Sequence, residues 1–315
     1  MDFGHVPPEM LGKIDLTLPP DDPRTWAELG KYKLVTPGPD SGPSKPPLRI
    51  GIGCPIWTPK EWVGTIYPAG TDTKDFLYHY SRQFTSIELN TTHYRTPDKE
   101  TIQRWRETTP EGFRFNPKML QEISHRKPIW AHEALTREFV ENVMELGDRL
   151  GACFMQLPPT FAPGDLPDLR KFLASLPKDF PIAVEVRHPS FFVDHRLAPP
   201  LYDVLVQAGA HVVITDVAGR RDVLHTSLTS PTALVRFIGN NGHASDETRI
   251  EEWVARIHTW LNLGLRHLEF FVHQMDNKDA PTLIAKLIDR LNETCSLQLP
   301  KWKAVEEKKE QLSFF

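Results

Sequence analysis

Cysteine is scarce in this chain of 315 residues: there are three, Cys54, Cys153 and Cys295, far apart in sequence. No two have metal-ligand spacing, and an odd count fits no disulfide framework. They read as buried or idle thiols in a reducing cytosol. Long apolar runs are also missing. No stretch approaches the ~20 residues needed to cross a bilayer, and "MDFGHVPPEM" has neither the basic start nor the apolar core of a signal peptide. The expectation is a cytoplasmic protein with no membrane partner. Charge of one sign is not in excess. Lys and Arg total 37 against 41 for Asp and Glu, a formal net charge of -4. That argues against a dedicated nucleic-acid domain, which is usually strongly basic, but leaves room for a local basic groove. No G-x-G-x-x-G turn follows the first strand, so no organic cofactor motif is present. Tight H-x-x-x-H and paired-Cys signals are absent too. A divalent metal is therefore an alternative and not the favoured reading, and no metal ligands are assigned.

Proline, by contrast, is abundant, at 29 residues. Residues 1–47 hold "TPGPDSGPSKPP" and little periodicity, and read as an arm packed on or flanking the main domain. Within it "DDPRTWAELGKYKL" predicts one short helix, with Asp before Pro at its start. Beyond residue 47 the pattern changes. Strand-like runs "LRIGIGC", "SIELN", "GFRFNPK", "ACFMQLP", "PIAVEVR", "AHVVITD", "ALVRFIG" and "HLEFFVH" alternate with amphipathic helical runs. One of these, "SDETRIEEWVARIHTWLNLG", opens on a serine-aspartate cap and stops at Gly264. Such alternation demands parallel strands with right-handed crossovers. Eight repeats over about 250 residues match a (β/α)8 TIM barrel of the α/β class. A doubly wound open sheet is the alternative. The expected organisation is a Pro-rich N-terminal arm (1–47), the barrel (48–300) and a charged tail (301–315).

Strand side chains alternate with a period of two, so each barrel strand has one row facing helices and one facing the axis. In "PIAVEVR" the apolar row is Ile182, Val184 and Val186, which turns Ala183, Glu185 and Arg187 inward. The same rule turns in Gly51 and Gly53, Glu88 and Asn90, and Arg114, Asn116 and Lys118. It places Gln156 after Ala152 and Phe154, Asp216 after Val212 and Ile214, Arg236 between Leu234 and Ile238, and His273 after Glu269 and Phe271. Polar groups thus converge at the carboxyl ends of the strands, where barrel enzymes keep their sites. A ring of alternating sign that simply fills the barrel is the structural alternative, and the recurrence of polar residues at strand carboxyl ends favours a functional mouth.

"GTIYP" after "WV", "FTSIELNTTHYRTP", "RWRETTPEGFRFNPK", "GACFMQLPP", "VEVRHPSF", "LVRFIGN" and "DAP" together resemble the YecE-like family, domain of unknown function 72, over roughly residues 48–292. The resemblance implies a TIM barrel, of a kind likened to sugar isomerases and to endonuclease IV-type barrels. It places Trp62, Tyr67, Glu88, Asn90, Tyr94, Lys118, Gln156, Glu185, Arg187, His188, Asp216, Arg236 and Gly239 on family-like positions. The chain departs from the family at His93, where Phe is usual, and in the eighth-strand segment "FFVHQMDNKDAP".

Three functional readings follow. In the first, an enzyme acts on a small anionic or phosphorylated, sugar-like substrate. Glu88, Glu185, His188, Asp216 and His273 are the candidate catalytic groups. Carboxylates among apolar walls can be tuned as acid or base, and a histidine can shuttle the second proton. Lys118, Arg187 and Arg236 would hold the anion, with Trp62, Tyr67, Asn90, Tyr94 and Gln156 completing the substrate contacts. In the second, Glu88, Glu185, Asp216 and His273 hold a divalent metal in a hydrolase or isomerase. In the third, Trp57, Trp62, Tyr67 and Tyr94 stack on bases or sugars in a non-catalytic module that binds nucleic acid or another ligand. Nothing in the sequence sets an oligomeric state.

Overall fold

The computed structural model describes residues 4–33 and 47–303. Eight parallel strands follow one another along the chain: β1 (Arg49–Gly53), β2 (Ser86–Leu89), β3 (Arg114–Pro117), β4 (Cys153–Gln156), β5 (Ile182–Glu185), β6 (His211–Asp216), β7 (Thr232–Ile238) and β8 (His267–His273). Between β5 and β6 a two-residue antiparallel hairpin, Phe192–Val193 with Arg196–Leu197, interrupts the alternation. The fold is α/β, built on a six-stranded parallel sheet in the order β1-β8-β7-β6-β5-β4. Strands β2 and β3 form a separate parallel pair, so the ladder does not run unbroken around the ring that the sequence predicts. Short links reach the pair from both sides. Thr85 N donates to Ile52 O (3.3 Å) and Glu88 N to Cys54 O (3.2 Å) on the β1 side. Gly151 N donates to Phe115 O (2.7 Å) and Met119 N to Phe154 O (2.8 Å) on the β4 side.

Three apolar clusters show which way each strand faces. Ile52, Ile87, Phe115, Ile214, Val235 and Phe270 pack with helix residues such as Trp253, Ile257 and Ile284. Met155, Ile182, Val184 and Val212 pack with Phe139, Phe172 and Leu205 from other helices. A third, small cluster joins only strand residues and one neighbour: Ala152, Phe154, Ala183, Val213, Leu234 and Phe271. The first two are the helix-facing layers, and the third is the inner filling. Each fully buried Leu, Ile or Phe contributes about 1.5–3 kcal/mol, so the two outer layers supply most of the stabilisation.

One strand is out of phase with its predicted pattern. Val212 and Ile214, which that pattern turns inward with Asp216, are in the outer clusters, and Val213 is inner. Asp216 therefore shares the outer row with Val212 and Ile214, and Thr215 takes the inner place.

Residues 4–33 pack against the strand–helix body, with Leu29 inside its apolar core and Gly4 O accepting from Gly219 N (2.8 Å) in the loop beyond β6. Asp22 starts the helix Pro23–Gly30 by accepting from Arg24 N (3.0 Å), as the Asp-Pro pair predicts. Asp21 accepts from Arg256 (2.6 Å) and Trp260 (3.1 Å) on the helix Ala244–Leu263. That long helix begins one residue before the predicted cap. His243 Nδ1 accepts from Ser245 N (3.2 Å), while the Asp246 carboxylate turns back to Asn240 N (2.8 Å). It ends at Gly264, whose φ of +124° suits glycine alone; a Cβ there would also strike Leu29 O of the arm. Most of "TPGPDSGPSKPP" and the tail "EEKKEQLSFF" lie outside the described residues.

Candidate active site

Inner-row side chains meet at the carboxyl ends of the strands in one connected polar network. Arg236 on β7 is its centre. Its Nε and Nη2 clasp the two oxygens of Glu88 on β2, each at 2.9 Å, and its Nη1 donates to Glu185 Oε2 on β5 at 2.8 Å. Arg187 Nε, two residues beyond Glu185 on the same side, donates to Glu185 Oε1 at 2.6 Å. Gln156 Oε1 at the end of β4 accepts from Arg187 Nη2 (2.7 Å) and Lys118 Nζ (3.0 Å). His273 Nε2 at the end of β8 lies 2.9 Å from Glu88 Oε2, and Asn90 Nδ2 donates to Glu88 Oε1 at 2.8 Å. The aromatic ring of Phe154 lies below, with the Arg236 guanidinium 5.4 Å and the Lys118 ammonium 5.9 Å from its centre.

The network is buried: Glu88, Gln156 and Glu185 are almost inaccessible, and Lys118, Arg187 and Arg236 barely less so. Isolation from water would neutralise lone charges, and here partners decide otherwise. Burial drives the Glu88 carboxyl upward, but Arg236 and His273 outweigh it and hold it well below its ordinary range. Burial likewise raises Glu185, and Arg187 and Arg236 reverse this, bringing it to about 2. Both carboxyls are thus ionised at neutral pH. Lys118 goes the other way. Burial and the charge of Arg236 lower its ammonium to about 8, against the pull of Glu185 and Glu88. Because a carboxylate only accepts, His273 Nε2 carries the hydrogen in its bond to Glu88, which leaves Nδ1 as the second site of proton exchange.

Eight of the predicted residues come together here: Glu88, Asn90, Lys118, Gln156, Glu185, Arg187, Arg236 and His273. Others stand apart. Asp216 faces outward, as the phase of β6 requires. Its carboxylate pairs with Arg249 (2.9 Å) and Arg221 and accepts from Trp253 Nε1 (2.8 Å). The inward position assigned to it by alternation is therefore corrected. Trp62 and Tyr67 are core residues, about 1% and 0% exposed. Trp62 Nε1 donates to Asn277 O, and the Tyr67 hydroxyl donates to Trp57 O. Tyr94 is on the surface, 71% exposed. His188 is half-buried and uses Nδ1 to accept from Ser190 N (3.2 Å) at the start of a short turn.

Two further residues at this site were not among those that sequence reasoning assigned to it. Thr215 is the inner partner of Arg236 in the β6–β7 register, and its buried hydroxyl has no hydrogen-bond partner among the described residues. A one-residue shift in the phase of "AHVVITD" would have found it. His93, the departure from the family pattern, is buried. Its Nδ1 lies 2.7 Å from Met119 O, so Nδ1 bears the hydrogen and Nε2 keeps a lone pair, which is likewise unpartnered. Burial lowers this imidazole to about 4, with the nearby Lys118 adding to the effect, so it is neutral.

A family model described as "Protein of unknown function DUF72" matches residues 51–308. The chain belongs to the DUF72 family. Among similar proteins, the UPF0759 protein YecE of Escherichia coli O157:H7 is 34% identical over 284 residues, covering 84% of this chain and 100% of the relative. The UPF0759 protein YunF of Bacillus subtilis (strain 168) is 26% identical over 167 residues, 49% of this chain and 54% of the relative. Two solved DUF72 structures share the fold. That from Enterococcus faecalis V583 superposes with a TM-score of 0.62 at 20% identity, over 80% of this chain and 99% of its own. That from Thermotoga maritima MSB8 gives 0.59 at 23% identity, over 78% and 99%. The arm preceding residue 51 lies outside the family match. Among the described residues, no helix is long and apolar enough to cross a membrane.

Proposed function

We propose that this DUF72 chain is an enzyme acting on a small anionic substrate, of a phosphorylated or sugar-like kind, by acid–base chemistry at the carboxyl ends of its strands. We also propose that the eight strands close into a (β/α)8 barrel. The backbone links from β2–β3 to β1 and β4 support closure, since they leave neither side of the pair as a free edge.

One observation carries the functional reading. Among the described residues, three cationic groups, Lys118, Arg187 and Arg236, face two carboxylates, Glu88 and Glu185, and Lys118 and Arg187 also donate to a neutral acceptor, Gln156. An oxyanion is a better partner for Lys118 and Arg187 than an amide oxygen. The unpartnered Thr215 hydroxyl beside Arg236 offers a further polar contact. Glu88 orients His273 for proton transfer at Nδ1, and Lys118, at about 8, can give or take a proton near neutrality.

The test is a panel of phosphorylated aldoses and ketoses, with ligand-induced stabilisation and exchange of carbon-bound hydrogen for solvent deuterium as readouts. At least one should raise the melting temperature, and Arg187→Gln should abolish that rise. His273→Gln should keep binding and lose at least a hundredfold in exchange, the usual weight of general acid–base catalysis. A panel with neither stabilisation nor exchange, or a fully active His273→Gln, sinks the proposal.

A further inference from the structure

The opposite, amino-terminal ends of the same strands hold a second cluster that the reading above does not use. Arg49 begins β1, Arg114 begins β3 and His267 begins β8; all three stand at the inner-row spacing of their strands. Arg49 and His267 are direct neighbours in the β1–β8 register. They line a cavity of about 480 Å3 whose floor is Glu269. Gly51 makes that floor reachable: a Cβ at this position would overlap both Glu269 oxygens.

Charge is unevenly settled in this cavity. Glu269 is fully buried, and its oxygens are already taken. Ser86 Oγ donates to Oε2 at 2.5 Å, Asn116 Nδ2 reaches the same oxygen at 3.3 Å, and His267 Nε2 lies 2.7 Å from Oε1. The arginines are not so served. Arg114 donates only to the neighbouring Phe113 carbonyl (3.0 Å), and neither Arg114 nor Arg49 makes an ion pair among the described residues. Arg49 is exposed and Arg114 half-buried, and both line the same cavity; burial and the like charge of Arg49 depress Arg114, against the pull of Glu269 and Asp148. Glu111 also lines the cavity and is exposed. Two arginines thus line one polar cavity beside a buried carboxylate whose oxygens are already hydrogen-bonded, and neither has an ion-pair partner among the described residues.

We propose that this cavity is a second binding site, for a small multivalent oxyanion clasped between Arg49 and Arg114. A phosphate or a dicarboxylate supplies the chemistry that two planar guanidinium forks recognise. The site is independent of the substrate reading at the carboxyl ends.

The experiment uses the full chain, titrated calorimetrically with inorganic phosphate and, separately, with malonate, which distinguishes the two sources of the anion. Arg49→Ala and Arg114→Ala should each weaken binding at this site at least tenfold, while leaving the melting temperature in anion-free buffer within a few degrees of wild type. Arg187→Gln, at the other end of the strands, should leave this binding event in place. In crystals soaked with selenate, anomalous scattering should mark selenium between the two guanidinium groups. Unaltered binding of both anions by both alanine variants, or no selenium peak in this cavity, overturns the proposal. Failure of Arg187→Gln to affect phosphorylated sugars would instead count against the carboxyl-end reading alone.

Discussion

Arg236 joins two carboxylates from strands that are distant in sequence, and it does so with three of its nitrogens. Deleting one partner of such a buried set strands the others without water. Arg236→Met should therefore cost about 3–5 kcal/mol of stability, read from urea denaturation; a cost under 1 kcal/mol would mean that Glu88 and Glu185 find other partners. Glu185 sets an acid limit as well. Its carboxyl is depressed from 4.5 to about 2 in the folded chain, so its contribution is complete above the unfolded value and is lost as pH falls through that window. Acid titration should show stability falling between about pH 4.5 and 2, and Glu185→Gln should flatten that limb. Lys118 is shifted in the same direction, but there it is the neutral form that the fold favours. Its folded value, about 8, lies below the ordinary 10.5, so the folded chain sheds this proton first and stability gains as pH rises from 8 towards 10.5. Anion affinity at the carboxyl ends should decline over the same rise, because the ammonium is lost. Lys118→Arg should hold affinity constant across it, as measured by titration at pH 7 and 9.5.

At the scale of the element, alternation was readable wherever the two rows of a strand differ in chemistry. "SIELN" and "PIAVEVR" each set β-branched or leucine residues against charged ones, so the phase is unambiguous. "AHVVITD" does not: Val212, Val213 and Ile214 are apolar on both rows because β6 is buried on both faces, as strands in covered parallel sheets are. Asp216 was assigned inward on that ambiguous phase, and Thr215 was overlooked for the same reason. The aromatic loop residues were misjudged differently. Trp62 and Tyr67 follow a strand as binding residues would, but Trp62 stacks on Tyr80 and Tyr67 lies tilted against Phe76, giving apolar contact that local sequence cannot reveal. β1 offers a sharp test of the inner row. Gly51→Ala puts a methyl group onto the Glu269 carboxylate and should destabilise by about 1–3 kcal/mol in chemical denaturation, the usual penalty of overpacking. A neutral result would mean that β1 can shift away from β8.

For the molecule as a whole, the number and order of strands were legible because each repeat carries its own hydrophobic period and its own turn. Continuity of the ladder was not, since it depends on long-range register between β3 and β4, which meet at a few points rather than along their length. The position of the arm was equally hidden. It is fastened by Leu29 in the apolar core and by polar contacts that include Asp21 to Arg256 and Trp260, Asp22 to Ser227 (2.6 Å), and Arg221 to the carbonyls of Leu16 and Thr17 (2.9 and 2.8 Å). Asp21→Ala removes the carboxylate of a largely buried, charged hydrogen-bond set and should lower stability by about 1.5–3 kcal/mol, visible as a drop in melting temperature. An unchanged melting temperature would show the arm to be energetically separate from the body.

That fastening has a consequence for the chain as it is made. Asp21 and Arg256 are 235 residues apart, and a ribosome adding about 5–20 residues per second separates their emergence by roughly 10–50 s. Leu29, fully enclosed in the folded chain, must spend that interval in water or in the grip of a chaperone, and the arm closes over its helix only after that helix has been made.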